Sequence, residues 1–182
     1  MPSNMQPEGI TVNGTDVWIV DRRSAKVYRY ANAAGLHSGT MNATSSFSLT
    51  GSNNTPKDLV TDGTSIWVVN DGSTDKVFKY TVNGTLLGSW TMNSGGGSPT
   101  GITINPTNVS DIWIVDSSTD KVYDFSGAAS RTSGSQSPST SFALAAGNTN
   151  PQGIADPPPP SSSLNAVPAS VVRNNVLAAS EI

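Results

Sequence analysis

A strand-like segment occurs three times in this chain, and its repetition constrains the fold more than any other feature. Each copy is a run of four apolar residues that includes a tryptophan, is closed by Asp or Asn, and is followed by a polar loop and a Lys-Val-aromatic segment. The copies are residues 17–21 with 26–28, 66–70 with 76–78, and 112–116 with 121–123. Apolar runs rich in β-branched and aromatic residues are typical of strands buried on both faces. Each copy is therefore predicted to be a β-hairpin.

A proline-led segment precedes each hairpin and defines a longer repeat. It begins at Pro7, Pro56, Pro99 and Pro151, at spacings of 49, 43 and 52 residues. A further short apolar segment follows each hairpin, at residues 47–49, 88–92 and 142–144. Four strands per repeat, at a period of this length, predict the blades of a β-propeller.

The repeat predicts an all-β chain built as a partial β-propeller of about three four-stranded antiparallel blades. Blade 1 is assigned to residues 6–55, blade 2 to 56–98 and blade 3 to 99–150. Residues 151–156 are assigned to the first strand of a next blade, and residues 157–182 to a Pro/Ser-rich linker and a disordered tail. Three blades do not close a ring. Two states remain open, an open array within a larger propeller and half of a six-bladed ring closed by a second copy.

Glycines and tryptophans recur at fixed places in the repeat. Gly9, Gly101 and Gly153 suit the first strand of each blade, where backbones crowd around the propeller axis. Asp58 interrupts that pattern in blade 2, which puts close approach there in question. The tryptophans of the repeated segment, Trp18, Trp67 and Trp113, are expected to pack between blades, whereas Trp90, on an outer strand, is expected to be at least partly exposed.

Composition excludes several classes of function. Only 13% of the residues are charged and the net charge is −3, so binding of nucleic-acid phosphates is not expected. Cysteine is absent, which excludes disulfides and thiolate chemistry. No stretch has the length or hydropathy of a membrane span, and no signal peptide is recognisable in this chain.

The order of these motifs resembles NHL-type β-propeller repeats. The resemblance rests on Pro-x-Gly-Ile, Asn/Asp-Gly-Thr, Ile-Trp-Val-Val-Asp and Thr-Asp-Lys-Val-Tyr, and it covers about residues 6–156. It is greatest to the tandem repeats of large secreted or cell-surface bacterial proteins. The resemblance implies an extracellular or cell-surface location as part of a longer protein, and propellers of this kind serve many roles.

Residues for catalysis are scarce. Metal-dependent hydrolases and lyases among related propellers use His, Glu, Asn or Asp that converge on the axis, but this chain has one histidine, His37, in an outer loop. One histidine does not make a three-histidine zinc site. Glu8 lies on a first strand without a partner carboxylate, so no acid/base pair is expected. We expect no enzyme activity, no catalytic residue and no bound cofactor.

Calcium is the one metal that the sequence leaves open. Asp71, Asp75, Asp116 and Asp120, with nearby Ser and Thr, offer the hard oxygen ligands that Ca²⁺ prefers. The competing interpretation is that Asp and Asn at strand ends accept hydrogen bonds from loop N–H groups. Turn formation is favoured, because Ala25 stands where the other copies carry Asp75 and Asp120.

The sequence therefore favours a non-catalytic structural or interaction module, a propeller segment that presents loops to a protein or glycan partner. The alternative is a metal-dependent hydrolase or lyase that is completed by missing blades or by a second copy. Neither membrane insertion nor nucleic-acid binding is expected, and a homodimer that closes the propeller is one of the assembly states left open.

Overall fold

The computed structural model describes residues 5–94, 97–105 and 108–155, and this part of the chain is all-β. Its strands form three separate sheets, two of four strands and one of five. The sheets do not close into a ring, which confirms the predicted partial propeller. The tail assigned to residues 157–182 lies outside the described residues, as does Asp156.

Each sheet corresponds to one blade, whose four main strands pair in antiparallel order. In blade 1 the strands are β1 (Pro7–Asn13), β2 (Asp16–Asp21), β3 (Lys26–Tyr30) and β4 (Ser45–Ser48). In blade 2 they are β5 (Pro56–Thr61), β6 (Ser65–Asn70), β7 (Lys76–Thr81) and β8 (Leu86–Met92). Blade 3 contains β9 (Pro99–Ile104), β10 (Ile112–Asp116), β11 (Lys121–Phe125) and β13 (Thr140–Ala143).

Two apolar cores hold the blades together, one at each junction. One core joins residues of blade 1 such as Trp18 and Val20 to residues of blade 2 such as Leu59 and Phe78. The other joins Trp67 of blade 2 to the apolar side chains of blade 3. Every residue of β6 is buried, because blade 2 is covered on both faces. The continuous apolar run of the repeated segment has this physical origin.

The two faces of a blade have different neighbours. We call the face toward the preceding blade the front face and the opposite face the back face. Trp18 and Trp67 lie on back faces and are buried in the two cores, as predicted. Trp113, on the back face of blade 3, is only partly buried, since the described residues place no complete blade behind it.

Trp90 contradicts the expectation of exposure, because it is only 1% exposed. Its ring packs on Phe125 of blade 3 at a centroid distance of 5.1 Å. The long insertion of blade 3 also crosses to this edge of blade 2, where β12 (Ser135–Gln136) pairs in parallel with β8. The outer strand of blade 2 is therefore an interior strand of a five-stranded sheet.

Glycine makes this crossing feasible. A Cβ atom on Gly88 would lie 2.1 Å from the carbonyl oxygen of Thr132, a distance that no side chain tolerates. The backbone N–H groups of Ser89 and Thr91 donate to carbonyl oxygens of the insertion at 3.0 and 2.9 Å. We call residues 131–138, which include β12, the strap.

Within the described part of the chain, no helix has the length and apolar character that a membrane span requires.

Candidate functional site on the axial face

The first strands of the three blades, β1, β5 and β9, lie side by side and form the face that surrounds the propeller axis. Residues 151–155 continue this row, and the Thr100 hydroxyl donates to the carbonyl oxygen of Pro151 at 2.7 Å. Chain segments approach closely here. A Cβ on Gly9 would lie 2.6 Å from the Cα of Asp58, and one on Gly101 would lie 2.8 Å from the Cα of Gly153. The predicted need for glycine is confirmed at Gly9 and Gly101.

Asp58 occupies the glycine position of blade 2, and close approach is nevertheless preserved on its blade 1 side by Gly9. Its side chain extends toward blade 3. Oδ2 accepts the backbone N–H of Ile102 at 2.9 Å, and Oδ1 accepts the backbone N–H of Leu59 at 2.8 Å. Asp58 therefore links the first strands of blades 2 and 3 through its carboxyl group.

Burial dominates the protonation of Asp58. It raises the pKa of this carboxyl to about 7, although the N–H groups of Ile102 and Leu59 act in the opposite direction. A carboxyl group with this pKa is partly protonated at neutral pH. Perturbed acids in concave sites are candidates for binding or chemistry, although structural hydrogen bonding also perturbs them.

Two adjoining depressions of the axial face, each of about 370 Å³, share Asp58. Together we call them the axial cavity. Apart from Asp58, the first depression is lined by aliphatic and threonine residues, and the second reaches Glu8. The shared lining residues are Ile10, Asp58, Ile154 and Ala155. A mostly apolar depression with one convergent polar group is the usual form of a small ligand site.

The strand-end aspartates that recur in the repeat accept hydrogen bonds within turns. Asp116 Oδ1 accepts the backbone N–H and the hydroxyl of both Ser118 and Thr119, at 2.9–3.0 Å. Asp21 Oδ1 accepts the same two groups of Ser24 at 2.8 Å. Although burial opposes ionisation, these bonds and one from the Gln6 N–H hold the pKa of Asp21 below its usual value. These contacts support the turn interpretation.

Asp71 and Asp120 have partners of their own, whereas Asp75 is close enough to Asp71 and Asp116 to interact with their charges. Asp71 forms an ion pair with Lys57 at 3.4 Å, and Asp120 Oδ1 accepts the backbone N–H of Asn150 at 2.9 Å. Burial, and next the Asp71 carboxylate, raise the pKa of Asp75 to about 6. In the described part of the chain, no three His, Cys, Asp or Glu side chains come close enough to hold a metal ion together. A calcium site at Asp71, Asp75, Asp116 and Asp120 stays a prediction without a shared ligand cluster among these residues.

The structure also separates the two residues considered for catalysis. His37 lies exposed in the loop after β3, whereas Glu8 lies on β1 at the edge of the axial cavity. Glu8 is 4.0 Å from the Arg22 guanidinium. Sequence reasoning did not identify Asp58 as a site residue. The available signal was its presence at a position where the other repeats carry glycine.

Comparison with known proteins identifies the fold. No protein-family model matches the sequence, and no curated protein matches it either. Solved structures do match. Hydrazine synthase of Kuenenia stuttgartiensis aligns over 83% of this chain and 39% of its own, with a TM-score of 0.58 and 15% identity. A nidogen/laminin complex aligns over 71% of this chain and 48% of its own, with a TM-score of 0.52 and 19% identity.

A protein of unknown function from Bacteroides caccae has a TM-score of 0.51 at 8% identity, and the alignment covers 76% of this chain and 46% of its own. The chain thus spans less than half of the length of each of these structures. The nidogen and hydrazine synthase matches are to β-propeller proteins, and at such low identity they inform the fold alone. Three blades, an axial row of first strands and these neighbours together show that the chain has a β-propeller fold.

Proposed function

We infer that this chain is a non-catalytic interaction module, an open propeller segment of a secreted or cell-surface protein that binds a protein partner. The inference rests on one observation, the uncovered front face of blade 1. Ile10 is 63% exposed, whereas its counterparts Leu59 in blade 2 and Ile102 in blade 3 are 1% and 2% exposed. Exposed apolar patches rimmed by polar residues mark interaction sites in soluble proteins.

The second position on this face has the same contrast. Val12 is 52% exposed, while the equivalent residues Thr61 and Ile104 are buried. The blade 1 side chains thus have the apolar chemistry of an inter-blade contact, and no blade lies in front of them among the described residues. A protein surface with a complementary apolar face is the partner that this geometry favours. A glycan has less support, because Trp18 and Trp67 are buried and do not offer their rings for stacking.

NHL-type ancestry, a bacterial source and an extracellular or cell-surface setting belong to this proposal and are supported by the sequence resemblance. The metal-dependent hydrolase or lyase gains no support from the described residues, where no metal-binding cluster forms. A homodimer that closes a ring remains a competing assembly. Residues 151–155 already lie beside β9, where the first strand of a second copy would have to fit.

The test compares the wild-type chain with the double variant Ile10→Ser, Val12→Ser. Light scattering after size exclusion gives the mass at several concentrations, and the emission of an apolar dye reports exposed apolar surface. We expect the wild type to bind dye and to self-associate weakly at high concentration, and the variant to lose both properties with an unchanged circular dichroism spectrum. Leu86→Ser, Leu87→Ser, a pair exposed on β8, is the matched control and should retain both properties.

Two results would contradict the inference. Dye binding that does not change in the front-face variant would show that this surface is not adhesive. A wild-type mass of two chains at every concentration, reduced to one chain by the variant, would instead establish the ring-closing homodimer.

A further inference from the structure

The axial cavity combines an acidic group with apolar walls and has no cationic side chain of its own. Asp58 lines both depressions, and its described lining neighbours include neither Lys, Arg nor His. Among the described lining residues, the one other ionisable group is Glu8, which is also an acid. Because Arg22 lies 4.0 Å from Glu8, Asp58 is the acid of the cavity without a cationic partner among the described residues, and charge interactions at this partly buried group are stronger than in water.

The two hydrogen bonds that Asp58 accepts leave part of the hydrogen-bonding capacity of its carboxylate unused. Each carboxylate oxygen accepts one backbone N–H, from Leu59 or from Ile102. An ionised carboxylate accepts about four hydrogen bonds. Because burial disfavours the ionised form in the absence of a counter-charge, a cation with N–H donors would stabilise it.

We propose that the axial cavity binds a primary alkylammonium group, with Asp58 accepting its N–H donors and the aliphatic walls covering its alkyl chain. Ile10 and Ile154, which line both depressions and are not buried in the cores, supply those walls. Glu8, at the edge of the cavity, adds attraction at longer range. The group can belong to a free amine or to a lysine side chain of a protein partner, and only the lysine alternative rests on the proposed function.

The geometry favours ammonium over other cations. Calcium takes about six to eight oxygen ligands, and Asp58 is one carboxylate in a largely aliphatic site. A guanidinium group binds carboxylates best through two parallel hydrogen bonds. At Asp58 each oxygen already accepts a backbone N–H. A compact ammonium group with rotatable donors needs less free space around the two oxygens.

The test is a titration of the full ¹⁵N-labelled chain with n-butylammonium chloride at pH 8, followed through backbone amide resonances. We expect saturable shifts at the amides of Leu59 and Ile102, which donate to Asp58. The uncharged n-butanol should bind at least about tenfold more weakly. Asp58→Asn should weaken n-butylammonium binding by about tenfold or more, since it removes the charge from the acceptor.

Two further variants keep the test decisive. Asp62→Asn, in a turn of blade 2 outside the cavity lining, should bind as the wild type does. If Asp58→Asn does not fold, Asp58→Gly replaces it, because glycine occupies the equivalent position in the other repeats. Equal binding of n-butylammonium by the Asp58 variant, equal binding of n-butanol, or no saturable shift at Leu59 and Ile102 would overturn the proposal.

A second titration distinguishes the sources of the ammonium group. The peptide acetyl-Gly-Lys-Gly-amide should bind at least as tightly as n-butylammonium if a partner lysine is the natural ligand, and more weakly if a free amine is.

The affinity for either ligand should increase between pH 6 and pH 8, as Asp58 ionises. The charged groups nearest to Asp58 are Glu8, which lies 4.0 Å from the Arg22 guanidinium, and Lys57, which is paired with Asp71. Affinity that does not change with pH would also overturn the proposal.

Discussion

The junction between blades 1 and 2 and the junction between blades 2 and 3 are built on the same repeat but are held differently. In the second junction, Trp67 Nε1 and Lys79 Nζ both donate to the carbonyl oxygen of Ala129, at 3.2 and 2.8 Å. In the first, Trp18 Nε1 is buried without a hydrogen-bond partner among the described residues. Arg29, the counterpart of Lys79, donates instead to Asp16 within its own blade.

The difference lies in the connection that follows the third strand. In blade 3 a one-turn 3-10 helix, Ala128–Ser130, inserts against Trp67, and both of its alanines are buried. Blade 2 has a tight turn at Gly84 in the corresponding connection. A depression of about 300 Å³ remains there, lined by Trp18, Arg29 and Val82 among others. Equal repeats thus produce unequal junctions because the insertions between strands differ.

The largest expected effect comes from the outer-strand aromatics, which occupy equivalent positions in the three blades. Trp90→Ala should lower the free energy of unfolding by about 3–5 kcal/mol, because Trp90 fills the second junction. Phe47→Ala should cost about 1–3 kcal/mol, since Phe47 is partly buried against Tyr80. Phe142→Ala, on an open face, should cost less than about 0.5 kcal/mol. Urea unfolding measures all three, and equal losses would show that the junctions are equivalent.

The next expected difference between the junctions is a pH dependence of stability that arises from Asp58 at the second junction. Because the pKa of Asp58 is raised to about 7 in the folded chain, the native state retains a proton that the unfolded state loses near pH 4. Stability from this group is therefore present at low pH and is lost as pH rises from about 4 to about 7, by at most about 4 kcal/mol. Gly9, at the same position of the first junction, contributes no such term.

Unfolding in urea at pH 4, 5.5 and 7 tests this effect. Asp75, whose pKa is also raised, adds a slope of the same sign to the wild type. The difference in stability between wild type and Asp58→Asn isolates the contribution of Asp58. The two pH profiles should lie close together at low pH, where Asp58 is protonated and neutral, and should diverge as the pH rises. Parallel profiles would contradict the assignment.

Detachment of the strap should have a smaller effect, confined to the second junction. Gly88→Ala places a methyl group against the Thr132 carbonyl and should destabilise the chain by about 1–2 kcal/mol. Hydrogen exchange should accelerate at the amides of Ser89 and Thr91, which donate to the strap. Gly51→Ala, where a methyl group meets open space, is the control. Unchanged exchange at these two amides would show that the strap contributes no protection.

The smallest difference concerns one N–H group. Trp67→Phe and Trp18→Phe remove similar apolar surface, but only Trp67 loses a hydrogen bond recorded for its indole N–H. The cost of Trp67→Phe should exceed that of Trp18→Phe by about 1 kcal/mol. Thermal unfolding of both single variants measures this difference. A larger cost at Trp18 would require a partner for its indole N–H.

The sequence predicted the structural features that recur from blade to blade. The buried strands with Trp18 and Trp67 and the glycine contacts of Gly9 and Gly101 follow from periodic patterns that each blade must satisfy. It did not predict the burial of Trp90 or the strap, because both depend on where a non-repeating insertion of blade 3 folds back. Nor did it assign Asp58 a role, since the carboxyl acts on a strand 44 residues away in sequence. Single departures from a repeat carry no pattern of their own.

The strap also has a consequence for biosynthesis. Translation produces β8 before residues 131–138 exist, so a nascent blade 2 has an unpaired outer edge and an uncovered Trp90 until most of blade 3 has emerged. Unpaired strand edges and exposed aromatics are the features that promote association between incomplete chains. Completion of blade 2 thus depends on the blade that follows it, and a ribosome paused between the two would hold the chain in a state with an unpaired edge and an exposed Trp90.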